Sequence, residues 1–99
     1  MVNIILEFNV LGHPAANIRL NIRDQEDKGL CAGDEIGFDL AESDDFFYST
    51  VSRKVYIIDQ ASSIYYICRP RSFNSLDELA IILEKFKAKL GDRLAIENH

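Results

Sequence analysis

Val2-Asn3-Ile4-Ile5-Leu6-Glu7-Phe8-Asn9-Val10 alternates apolar and polar positions. Val2, Ile4, Leu6, Phe8 and Val10 fall on one face, and Asn3, Glu7 and Asn9 on the other. A period of two is that of a half-buried β-strand, because successive side chains of a strand point to opposite faces. Gly12-His13-Pro14 interrupts the pattern as a turn would. Alternation then resumes at Ala16, Ile18, Leu20 and Ile22 against Asn17, Arg19, Asn21 and Arg23. The two runs predict a β-hairpin.

Further along, Asp24 to Gly29 reads as a polar loop and Ala32-Gly33-Asp34 as a second turn. Ile36, Phe38 and Leu40 alternate with Glu35, Gly37 and Asp39, which predicts an acidic-faced strand. Residues 44–52 admit two readings. Ser43 would cap a short helix over 44–51 with two acids in its first turn, or Phe46–Ser52 would be a strand of its own. Val55-Tyr56-Ile57-Ile58 is β-branched and aromatic, expected as a central strand apolar on both faces. Gln60-Ala61-Ser62 turns it, and Ile64-Tyr65-Tyr66-Ile67-Cys68 returns beside it.

One helix is expected. Ser75-Leu76-Asp77-Glu78 is a capping box, and Leu76, Leu79, Ala80, Leu83, Phe86 and Leu90 form a stripe at helical spacing. Acids open this segment, lysines close it, and Gly91 stands where a left-handed residue ends a helix. The expected fold is α+β: a four- or five-stranded, mostly antiparallel sheet with one C-terminal helix packed on one face, a two-layer sandwich. Residues 1–91 form a single domain and 92–99 a short C-terminal tail.

The chain has 99 residues, 47% of them hydrophobic and 27% charged. That is a globular composition, too short for a two-domain enzyme, a Rossmann fold or a (β/α)8 barrel. Sixteen carboxylates oppose eleven cations, for a net charge of −5. The charge is segregated: residues 24–45 carry net −8, so the remainder carries +3. No basic leader precedes the first apolar residues, and no apolar run reaches the roughly 18 residues of a membrane helix. With only Cys31 and Cys68, expected as free thiols unless the fold brings them together, the chain reads as cytoplasmic with no membrane partner.

Sequence signatures of catalysis are sparse. His13 and His99 are the only imidazoles and lack motif partners, and the cysteines and histidines lack zinc-site spacing. Asp24 to Glu35 sets Asp, Gly and Glu at loop positions 1, 6 and 12, as in an EF-hand. Lys28 at position 5 replaces an oxygen ligand with a cation, and no helix precedes the loop. No enzyme activity, cofactor or metal is expected.

Two clusters are candidates for binding. The first interleaves Asp34, Glu35, Asp39, Glu42, Asp44 and Asp45 with Phe46, Phe47 and Tyr48. Carboxylates steer a basic protein partner and aromatics anchor it. The second sets Arg53, Lys54, Arg69 and Arg71 beside Tyr65 and Tyr66, cations and rings of the kind that hold single-stranded nucleic acid. Four cations on an acidic chain favour the first. The expectation is a small acidic interaction module that occludes a basic protein, a profile shared by nuclease inhibitors, immunity proteins and antitoxins. A nucleic-acid-associated domain and a homo-oligomer pairing an open sheet edge are the alternatives.

Overall fold

The computed structural model describes residues 1–14, 18–40, 46–57 and 63–98. Strands β1 (Val2–Phe8), β2 (Ile18–Gln25), β3 (Glu35–Asp39), β4 (Phe46–Ile57) and β5 (Ser63–Pro70) precede helix α1 (Leu76–Leu90). A 3-10 turn over Gly91–Arg93 then leads into β6 (Leu94–Asn98). The strands form one sheet in the order β3-β4-β5-β1-β2-β6.

The α+β architecture with a C-terminal helix agrees with expectation, and the strand count and pairing are corrected. Among the described residues there are six strands in a mixed sheet. β1 and β5 run parallel through Asn3↔Tyr65 to Leu6↔Cys68, while the other four pairings are antiparallel. The expected tail supplies the sixth strand: Leu94 and Ile96 pair with Ile22 and Leu20. Arg23 of β2 donates to the Asp92 carbonyl, which holds the turn before β6 against the sheet.

β4 settles the ambiguity after residue 45 in favour of a strand. Phe47, Ser49 and Val51 point inward and are buried, whereas Phe46, Tyr48 and Thr50 are exposed. Only a strand satisfies that alternation. A register shift between Val51 and Arg53 then returns Arg53 and Val55 to the open face. Residues 44 and 45 of the alternative helix, and the turn over 60–62, lie outside the described residues. The far half of β4 is not central. Its pairing with β3 stops at Thr50, and Tyr56 is 64% exposed.

One side of the sheet carries the core. Ile4, Leu6 and Phe8 of β1, Leu20 and Ile22 of β2, Phe47 and Val51 of β4, and Tyr66 and Cys68 of β5 pack against Leu79 and Phe86 of α1. Phe73, in the connection before α1, is fully buried and stacks within 11° of parallel on Phe47. Its backbone is tied to β1's extension, with Phe73 N–H donating to the Asn9 carbonyl and Leu11 N–H to the Phe73 carbonyl, both at 2.9 Å.

Ser75 caps α1 as expected, accepting from the Glu78 N–H at 3.2 Å. The Glu78 carboxylate reaches back one residue further than a capping box requires, to the Asn74 N–H, and also accepts from Arg71 at 2.6 Å. Arg71 and the Asn74 N–H accordingly hold Glu78 below the usual carboxylate range. The buried stripe is rotated from the expected one. Ile82 joins Leu83 and Leu90 at the core margin, while Leu76 and Ala80 are exposed. No helix of the described residues is long and apolar enough to cross a membrane.

Candidate functional site

The β3–β4 hairpin determines what the acidic–aromatic cluster becomes. Its register pairs Glu35 with Thr50, Gly37 with Tyr48 and Asp39 with Phe46. Directly opposed residues share a face, so Glu35, Asp39, Phe46 and Tyr48 all stand on the sheet face away from α1. Phe46 is 50% and Tyr48 53% exposed, and their rings lie 6.1 Å apart. Gly37 lies beneath Tyr48. A glycine inside a strand signals close approach of another group, and this was the one sequence signal for that contact.

Two of the expected residues serve the fold instead. Phe47 is 8% exposed and packs edge-on against Phe86, with ring centres 5.5 Å apart, so it is a core residue and not a partner anchor. Asp34 is exposed, but its carboxylate accepts from the Cys31 N–H at 2.8 Å and shapes a turn. That turn is pinned to β4 by Gly33 N–H to the Val51 carbonyl and Val51 N–H to the Asp34 carbonyl. Glu42, Asp44 and Asp45 lie outside the described residues.

Beside this face, a cleft of about 340 Å³ is lined by Leu40, Phe46, Phe47, Tyr48, Ile82 and two cations, Arg71 and Lys85. Arg71 is engaged, bound to Glu78 and placed 4.6 Å from the centre of the Phe73 ring. The exposed aromatic pair therefore adjoins both the carboxylates on β3 and a cleft toward α1 that carries Arg71 and Lys85.

The basic–aromatic cluster is divided by the sheet. Alternation along β5 and the shift in β4 place Arg53, Tyr65 and Arg69 on the open face. They share it with Ile5, Ile67 and the cross-strand ion pair of Arg19 with Glu7 at 3.3 Å. Lys54 and Tyr66 are on the other face, and Arg71 is committed to the helix cap. Tyr66 is fully buried, and its hydroxyl donates to Asp27 Oδ1 at 2.5 Å and accepts from the Leu30 N–H at 3.2 Å. Lys54 Nζ lies 5.3 Å from the Tyr56 ring centre and 5.4 Å from that of Tyr66. Tyr56, and then Tyr66, hold its ammonium above the usual lysine range.

The segment with EF-hand spacing is a strand–loop–strand connection: Asp24 and Gln25 end β2, and Glu35 begins β3. Asp27 accepts from Tyr66 and from the Gly29 N–H, which makes it a loop fastener. Among the described residues no group of three or more His, Cys, Asp and Glu side chains is placed to hold a metal ion. Cys31 is exposed and Cys68 buried, both as free thiols, and burial pushes the Cys68 thiol up to about 11. His13 is exposed in the turn after β1, its N–H donating to the Val10 carbonyl.

Compared with known proteins, the chain matches no family model, no curated protein and no solved structure.

Proposed function

We propose that this chain is a non-catalytic protein-binding module whose β3–β4 face docks a basic protein partner. The observation that supports this reading most is the placement of exposed Phe46 and Tyr48 on one face with the carboxylates of Glu35 and Asp39. Two adjoining rings that are half solvated in the free chain gain most when a partner covers them, because aromatic burial dominates interface energetics. Carboxylates at the rim raise the encounter rate with a cationic surface and disfavour acidic competitors. Occlusion of the partner's basic surface is the mechanism, as in small acidic inhibitors, immunity proteins and antitoxins.

The nucleic-acid reading has less support, since the sheet separates Lys54, Tyr66 and Arg71 from Arg53, Tyr65 and Arg69. Stopped-flow association at stepped ionic strength tests the proposal once a partner is in hand. Glu35→Gln with Asp39→Asn slows association several-fold at low salt and flattens its salt dependence. An unchanged on-rate would place the contact elsewhere.

A further inference from the structure

Among the described residues the sheet ends in two open edges, β3 and β6, and their side chains suit them to different neighbours. A two-fold axis normal to a sheet sets an edge strand antiparallel to its own copy, with residues of the same face opposed. Paired about Gly37, β3 would set Glu35 against Asp39 of the copy, twice. Like charges directly opposed disfavour pairing, so β3 is protected against itself.

β6 has no such like-charge opposition. Leu94–Asn98 contains neither proline nor lysine, and it pairs with β2 from Ile18↔Asn98 to Ile22↔Leu94 without a register shift. Proline, lysine, bulges and short length are usual means of blunting an edge, and of these β6 has only its five-residue length. Ile96 lies on the helix side of the sheet beside fully buried Leu20, yet is itself 39% exposed. Paired about Ile96, β6 would set Ile96 against Ile96, Ala95 against Glu97 and Leu94 against Asn98. No like charges meet, and the exposed isoleucine is covered by its own copy.

We infer that β6 is a self-association edge: a second copy of this chain adds antiparallel to it about Ile96, joining two six-stranded sheets across a two-fold axis. β6 is the opposite end of the sheet from β3, so this inference and the proposed partner face stand or fall separately. Five paired residues bury little surface, which makes the dimer concentration-dependent.

Sedimentation equilibrium of the chain from micromolar to millimolar concentration is the test. The mass is expected to rise from 11.3 kDa toward twice that value. Ala95→Lys opposes a cation to Glu97 of the copy and tightens the dimer, whereas Ala95→Glu opposes two carboxylates and loosens it. With two such pairs per dimer, each dissociation constant shifts about 2- to 30-fold, in opposite directions. Ile96→Lys sets two ammonium groups at the axis and leaves a monomer, and circular dichroism checks that each variant is folded. A chain that stays monomeric throughout, or a dimer indifferent to the charge at residue 95, would overturn the inference.

Discussion

The Tyr48 ring lies over Gly37 across the β3–β4 pair, so close that a Cβ on Gly37 would come within 3.0 Å of Tyr48 Cε1. An aromatic ring laid over a strand glycine covers backbone that the glycine leaves bare. Here it also fixes where the exposed ring stands relative to Glu35 and Asp39.

Gly37→Ala therefore displaces Tyr48 rather than the sheet. Tyr48 is exposed and free to turn, so stability changes by no more than about 0.5 kcal/mol, the usual range of a surface substitution. The nuclear Overhauser contact between the Tyr48 ring and residue 37 is lost, and retention of a basic partner falls. Thermal unfolding and two-dimensional NMR of the variant check both outcomes.

Phe46 and Phe47 are neighbours in sequence with opposite duties. Phe47→Ala removes a ring packed against Phe8, Phe73 and Phe86 and costs about 3–5 kcal/mol. That is a large part of the 5–15 kcal/mol typical of a whole domain. Phe46→Ala leaves stability within about 0.5 kcal/mol and acts on binding alone. Urea denaturation of the two variants separates them.

How much of this was legible in the sequence follows from the range of each interaction. The alternation of β1, β2 and β3 and the capped helix are local, and local periodicity reveals them. Parallel pairing of β1 with β5 joins residues some sixty positions apart, and no local pattern encodes it. β6 is five residues set off from α1 by the Gly91–Arg93 turn, too short for Leu94 and Ile96 to stand out, and it is a strand because β2 offers it an edge. The acidic–aromatic face was legible in residue type but not in direction. Only the β3–β4 register shows that Phe46 and Tyr48 face solvent while Phe47 does not. The division of the basic–aromatic cluster was hidden for the same reason, since a register shift in β4 and the burial of Tyr66 split it.

The pH dependence of the loop after β2 follows from Asp27. The Tyr66 hydroxyl, and then the Gly29 N–H, hold its carboxyl below its ordinary value of 3.8. A depressed folded-state pKa contributes stability above the unfolded value, lost as pH falls through the folded value. The loop is thus fastened at neutral pH and loosens only as pH falls past the ordinary value of 3.8 toward the lower folded one. In Tyr66→Phe the Asp27 titration moves up toward 3.8, measured by carboxyl-carbon NMR, and the acid limb of the melting profile flattens. An Asp27 titration identical in the two proteins would contradict the assignment.

The two thiols differ in reactivity. Exposed Cys31 reacts with a maleimide in the native protein at neutral pH. Buried Cys68, with its thiol at about 11, stays unlabelled until the chain unfolds. Mass spectrometry of peptides labelled with and without denaturant reads the difference. Labelling of Cys68 at the rate of Cys31 in native conditions would mean the sheet opens more readily than its burial implies.

The most direct measurement is affinity capture from the source cells on two baits, the native chain and a folded variant carrying Glu35→Gln, Asp39→Asn, Phe46→Ala and Tyr48→Ala. Both are eluted by stepped salt, and the eluates are identified by mass spectrometry. A basic protein is expected on the native bait, released as salt rises and missing from the variant. The same proteins on both baits, or nucleic acid as the retained species, would contradict it.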